Sequence, residues 1–217
     1  MKLQNIIIMM GPPGSGKGTQ GEKIATYLNY GYFSMGAALR EYGKKNTELA
    51  QRIKNKIDQG VIVADADIRE LFLDKVNEMS EYKGLILDGY PRTMGQISVL
   101  EEVLKKYNIF SVKVLFMEVD RVKLIERLSK RKTCVKCQAV YHPDSEEAKN
   151  NICSVCDGLL AIRDDDNPEV VAKRFDEYIK KTADVKDYYE SKGIMVKIDG
   201  DHSIEDVHKT IIEKFKV

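Results

Sequence analysis

The sequence predicts an α/β fold, a parallel sheet covered by helices, and three observations carry that prediction. Short apolar runs alternate along the chain with longer stretches of helical periodicity, the order in which parallel strands and their crossover helices occur. The first run, Ile6-Ile7-Ile8-Met9-Met10, passes through a glycine-rich loop into Glu22-Lys23-Ile24-Ala25-Thr26-Tyr27-Leu28, a buried strand turning into an amphipathic helix. At 217 residues the chain can bury one substantial core with subdomains inserted in it, which leaves no room for a second independent enzyme domain.

Each element follows from its local pattern. Residues 5–10 form the first buried strand, and residues 31–34 read as a short additional one. From 34 to 63 the chain is polar and helical without a strong strand, an insert hung from the core. Residues 65–79 carry Ile68, Leu71, Phe72, Val76 and Met79 at helical spacing, with Asp65 in the place of an N-cap. Strands follow at 84–88, 111–119 and 194–199. Thr93 and Gln96 have the spacing of a capping box, and so do Ser203 and Asp206 before the last helix. Asn167-Pro168-Glu169 is a helix start with proline at its first position, and Asp164-Asp165-Asp166 before it reads as a solvated turn. All five prolines fall in loops or at that helix start, so none contradicts a strand or helix.

The charge balance excludes several classes. Thirty-five Lys and Arg against 34 Asp and Glu leave +1, without the basic footprint of a general nucleic-acid binder. No apolar run approaches the roughly 20 residues that span a bilayer, and the N-terminus lacks the order of a signal peptide, so a cytoplasmic protein acting away from membranes is the default expectation. Three histidines and no serine in a nucleophile elbow leave little for a hydrolytic triad.

Three constellations carry chemistry. Gly11-Pro12-Pro13-Gly14-Ser15-Gly16-Lys17-Gly18-Thr19 is a phosphate cradle: glycines let consecutive amides converge on phosphate oxygens, the helix N-terminus adds positive potential and the lysine reaches the terminal phosphates. Cys134-x-x-Cys137 and Cys153-x-x-Cys156 use every cysteine, fifteen residues apart, the spacing of a closed four-thiolate zinc site; a pair of disulfides is the competing reading and is disfavoured in a cytoplasmic chain. Asp88-Gly89-Tyr90-Pro91-Arg92-Thr93 with Gln96 stands at the carboxyl end of an apolar strand, where α/β sheets bind ligands. Asp88 there can help hold Mg2+ through its water shell and Arg92 offers a planar fork to a phosphate. Arg40, Arg127, Arg131, Arg163 and Arg174 are scattered; Arg174 falls on or beside the apolar stripe of its helix, where an arginine needs an anion. A phosphate loop with several arginines is the equipment phosphoryl transfer requires.

These motifs, with Val140-Tyr141-His142 and Arg163-x-Asp165-Asp166-Asn167 before Lys173-Arg174, resemble over essentially the whole chain the long-form adenylate kinases with a zinc-bearing lid. The resemblance implies a P-loop NTPase-like α/β fold with a five-stranded parallel sheet. Its core would take residues 1–33, 64–129 and 168–217, with a helical monophosphate-binding insert at 34–63 and a lid at 130–167. It implies a monomer that moves a phosphoryl group from ATP to AMP with Mg2+. Gly14, Ser15, Gly16, Lys17, Gly18 and Thr19 would hold the ATP phosphates, with Arg127, Arg131, Val140, Tyr141 and His202 along the rest of ATP. Met35, Arg40, the backbone of Val61, Ile62 and Val63, and Gly89, Tyr90, Pro91, Arg92, Gln96, Arg163 and Arg174 would line AMP. Arg127, Arg163 and Arg174 would gather with Lys17 and Arg92 at the transferring group.

The chain departs from that family's pattern where Ser-Thr-Gly-Asp is usual. Ser34-Met35-Gly36-Ala37 loses a hydroxyl near the monophosphate base and a carboxylate expected to cap a helix and attract a lid arginine. Gln138 also replaces the glycine that usually follows the first Cys turn. The alternatives are the same chemistry on UMP or CMP, and a non-catalytic phosphate-loop and zinc-ribbon binding protein.

Overall fold

A computed structural model gives the structure of residues 3–143 and 145–215. Strand β1 (Asn5–Met10) leads into α1 (Lys17–Leu28), β2 (Gly31–Ser34) and the helices α2 (Met35–Tyr42), α3 (Glu48–Asp58) and α4 (Asp65–Glu78). Then come β3 (Gly84–Asp88), α5 (Met94–Tyr107), β4 (Ser111–Glu118) and α6 (Arg121–Lys130). The Cys-bearing stretch holds β5 (Lys132–Cys134), β6 (Val140–Tyr141), the short α7 (Glu146–Asn150), β7 (Leu160–Ala161) and a 3-10 turn, Asp164–Asp166. The long α8 (Pro168–Ser191), β8 (Met195–Asp199) and α9 (Ile204–Phe215) follow.

The central sheet is parallel throughout, in the order β2-β3-β1-β4-β8. Its side chains obey the two-residue period of a strand. Ile6, Ile8 and Met10 of β1 join Leu85, Leu87, Val114 and Phe116 in one core layer, beneath α4, α5 and α8. Ile7 and Met9 join Ile86, Leu115, Met117 and Ile198 in the other, beneath α1 and α9. Both faces are covered, which is why the strands read as continuous apolar runs.

The register brings the carboxyl ends of the strands level. Met9 lies opposite Asp88, Ser34 opposite Asp88, and Glu118 opposite Asp199. β1 sits between β3 and β4, and the helix after β1, α1, packs on the opposite face of the sheet from the helix after β3, α5, so a crevice opens above the end of β1. Residues 34–63 add α2 and α3 above that edge, and the Cys-bearing stretch adds an antiparallel sheet in the order β6-β5-β7.

Most local expectations hold. Asn167 caps α8 by accepting from the Val170 amide at 3.0 Å, Thr93 caps α5, and Ser203 accepts from the Asp206 amide at 3.1 Å. Three do not. β4 stops at Glu118 and β8 begins at Met195, each one residue short of the apolar run, where pairing ends. The N-cap of α4 is Ala64 and not Asp65, which stands one position further in with its carboxylate engaged elsewhere. The Asp164–Asp166 turn is not solvated: Asp165 and Asp166 are 7% and 2% exposed, because arginines pair with both.

Candidate functional site

The loop after β1 is shaped by its backbone. Gly14 and Gly16 hold φ of +82° and +89°, values that side chains resist. Gly16 is also the N-cap of α1 and brings no side chain to bond its first amides, which stay available to an anion. Lys17 arches back over the loop, its Nζ donating to the Gly11 and Pro12 carbonyls at 2.8 Å each. Burial lowers its pKa to about 8; Asp88 opposes the shift, and Arg92, Arg174 and Arg131 add to it.

Above the loop lies a cavity of about 1000 Å³. Every residue expected at a nucleotide lines it except Tyr90. That side chain is 1% exposed, stacked on Phe72 at 3.9 Å, and its hydroxyl donates to the Gln96 carbonyl at 3.2 Å. Tyr90 therefore props the turn from beneath.

The cavity is rich in buried cations. Arg92 is anchored through Nε–H to the Gly89 carbonyl at 2.8 Å. Burial lowers the pKa of Arg92 and of Arg40, and pushes that of Arg163 well down, with Arg131 and Arg40 adding repulsion on Arg163. Among the described residues the buried Nε of Arg163 has no hydrogen-bond partner. Arg131 and Arg174 are held differently. Arg131 grips Asp166 with two bonds, 2.9 and 2.6 Å, and Arg174 donates to Asp165 and Asp166 at 3.1 and 3.0 Å. The anion that the position of Arg174 calls for is thus, in part, the chain's own carboxylates. Arg127 donates to the Gly200 carbonyl at 3.0 Å, and His202 pairs with Asp199 at 3.2 Å on the exposed rim.

Sequence reasoning missed several supporting residues. Tyr32 donates to Asp88 Oδ2 at 2.9 Å, fixing the carboxylate at the end of β3. Gln138, at φ +66°, accepts from Arg40 Nε at 3.1 Å and so joins the Cys-bearing stretch to α2. Asp65 binds both Thr93 and Gln96. Such contacts join residues distant in the chain, and no spacing announces them.

The four cysteine sulfurs lie within 4.8 Å of one another. Neighbouring Sγ atoms are 3.5 to 3.7 Å apart, far beyond the roughly 2.05 Å of a disulfide and near the roughly 3.8 Å that tetrahedral Zn–S bonds of about 2.3 Å require. Burial and the three neighbouring sulfurs push the Cys137 thiol up to about 12. Four thiolates so close need a cation among them, and the donor set fits one.

A family model described as Adenylate kinase matches residues 9–194. Adenylate kinases from Methanosarcina mazei, Archaeoglobus fulgidus and Alkaliphilus oremlandii are 41%, 38% and 37% identical, covering 96%, 97% and 95% of this chain and 99%, 99% and 96% of their own. The chain belongs to the adenylate kinase family. It is a nucleoside monophosphate kinase, an enzyme of phosphoryl transfer between nucleotides.

Within this adenylate kinase fold the two departures at the head of α2 can be placed. Met35 is 2% exposed and packs in the core at the cavity wall. Ala37 leaves the helix capped, because its amide donates to Ser34 Oγ at 3.4 Å; the expected loss of a cap does not occur. Asp166 holds two members of the arginine cluster, Arg131 and Arg174. Asp166→Asn would leave Arg131 and Arg174 without their shared charge, and chemical denaturation should show a loss of about 3–5 kcal/mol, the scale for breaking a buried ion pair from one side.

Proposed function

We propose that the protein catalyses the reversible, Mg2+-dependent transfer of the terminal phosphoryl group of ATP to AMP, giving two ADP. One observation carries the reading: two anion grips, the Lys17 loop and the Arg40–Arg92 pair, face a single cavity, and Lys17 and Arg40 each sense Arg131 and Arg174. A volume of about 1000 Å³ is at the top of the roughly 300–1000 Å³ usual for one ligand, which suits two nucleotides. Transfer between them needs alignment and stabilisation of charge more than covalent help.

In this reading the loop amides of Gly14 to Thr19 and Lys17 hold the ATP phosphates. Arg127, Arg131, Val140, Tyr141 and His202 line the remainder of ATP. Arg40 and Arg92 hold the AMP phosphate, Met35 and the backbone at 61–63 flank the base, Gly89 and Pro91 shape the turn, and Gln96 meets the base edge. Arg163, with its orphaned Nε, and Arg174 close on the transferring group. Asp88 lies against the first turn of α1, where a Cβ on Gly18 would sit 3.5 Å from its Oδ2, and would hold Mg2+ through water. The ion supplies charge neutralisation between the phosphates.

Residues 34–63 and 130–167 close over this site from a core of residues 1–33, 64–129 and 168–217. The four cysteines bind one structural Zn2+ that orders the second of these inserts as a lid. A site complete within one chain supports a monomer.

Coupled assays with AMP, GMP, CMP and UMP test the function. AMP should be the best acceptor, and Lys17→Ala should lower kcat by about 10²–10³, the scale for a lost electrostatic stabiliser, while the thermal midpoint moves little. A pyrimidine monophosphate as best acceptor would favour the alternative substrate, and no turnover with any would favour a binding protein. For the zinc, elemental analysis should find one ion per chain, and a strong chelator should lower the melting temperature, because thiolate sites supply folding energy.

A further inference from the structure

We propose that Asp65 is a positioning residue that sets the preference for adenine over guanine at the monophosphate site, by fixing which way the amide of Gln96 faces. This rests on the reading that Gln96 meets the base. The Gln96 side chain is 2% exposed and lines the cavity. Its Nε2 donates to Asp65 Oδ1 at 2.8 Å, and its Oε1 accepts from the Arg92 amide at 2.8 Å. Both partners have fixed polarity, since a carboxylate only accepts and a backbone N–H only donates. A flipped amide would set oxygen against carboxylate and NH₂ against N–H, so this network admits one orientation.

Asp65 is itself immobilised. Its Oδ2 accepts from Thr93 Oγ1 at 2.7 Å, and Thr93 Oγ1 accepts in turn from the Gln96 backbone N–H at 3.2 Å. The ring of bonds joins the start of α4 to the start of α5. Gln96 keeps one N–H and one oxygen lone pair for a ligand, in a fixed order. Adenine presents an amino donor beside a ring-nitrogen acceptor and fits that order. Guanine presents a carbonyl acceptor beside an N–H donor, the reverse, and would need the amide turned over.

The carboxylate is the part that can be removed without touching the base contact. Asp65→Asn keeps shape and bonding capacity but can present either its oxygen or its NH₂ to Gln96, and Asp65→Ala releases the amide altogether. In the full-length protein, KM for AMP should rise and KM for GMP fall in both variants. The AMP to GMP ratio of kcat/KM should then narrow about tenfold, the scale of one or two misplaced hydrogen bonds, with KM for ATP unchanged. The ratio is read within one preparation, so a loss of folded protein cancels. An unchanged ratio in both variants, or a parallel rise of KM for AMP and GMP, overturns the proposal. Gln96→Ala separates the two layers. If it erases the preference while the Asp65 variants retain it, only the role of Asp65 falls; if it leaves the preference intact, the reading of Gln96 falls and that of Asp65 with it.

Discussion

Burying several cations around one cavity is the constraint on which the rest of the structure depends. Lys17, Arg40, Arg92 and Arg163 are each driven toward the neutral state by burial first; neighbouring arginines, Arg131 and Arg174 chief among them, add to the shift, and Asp88, Asp165 and Asp166 offset part of it. Taking a charge out of water costs on the order of several kcal/mol per ion after relaxation, and a folded chain carries such groups together only when something returns that energy. Asp165 and Asp166 do so for Arg131 and Arg174. Among the described residues Arg163 Nε has no hydrogen-bond partner, and in the proposed function a phosphate chain would supply the acceptor.

The fold answers that constraint by concentrating the site at one edge. A parallel sheet with both faces covered has its ligand edge at the carboxyl ends of its strands. Here the ends of β1, β2 and β3 set the loop, Ser34 and Asp88 within one register of each other. The cations then come from elements that reach this edge separately: Arg40 from α2, Arg92 from the turn before α5, Arg131 from the end of α6 and Arg174 from α8. Distribution over several elements lets the site be assembled by packing.

How much of this was legible in the sequence follows from the range of each interaction. The strands, the phosphate loop and the helix caps at Thr93, Asn167 and Ser203 rest on neighbours a few residues apart, and they were readable. The cysteine cluster was readable across a longer gap because its spacing is a ligand pattern in itself. An aspartate before a helical run satisfies the N-cap pattern, whereas the partners of Asp65 lie 28 and 31 residues away. Three consecutive carboxylates resemble a solvated turn, and nothing local to Asp165 and Asp166 reveals two arginines folding onto them. The family resemblance places Tyr90 along AMP, yet the stack on Phe72 turns its side chain into the core.

Proton uptake on nucleotide binding tests the central claim most directly. With its pKa lowered to about 8, Lys17 is about half protonated at pH 8 in the empty protein, and phosphates against it favour the charged form. Calorimetric titration of ATP at pH 8, in two buffers of different ionisation heat, should show an uptake of about half a proton per nucleotide, absent in Lys17→Arg because arginine stays charged. Binding with no uptake at pH 8, or with the same uptake in Lys17→Arg, would contradict the account of a buried cation awaiting its anion.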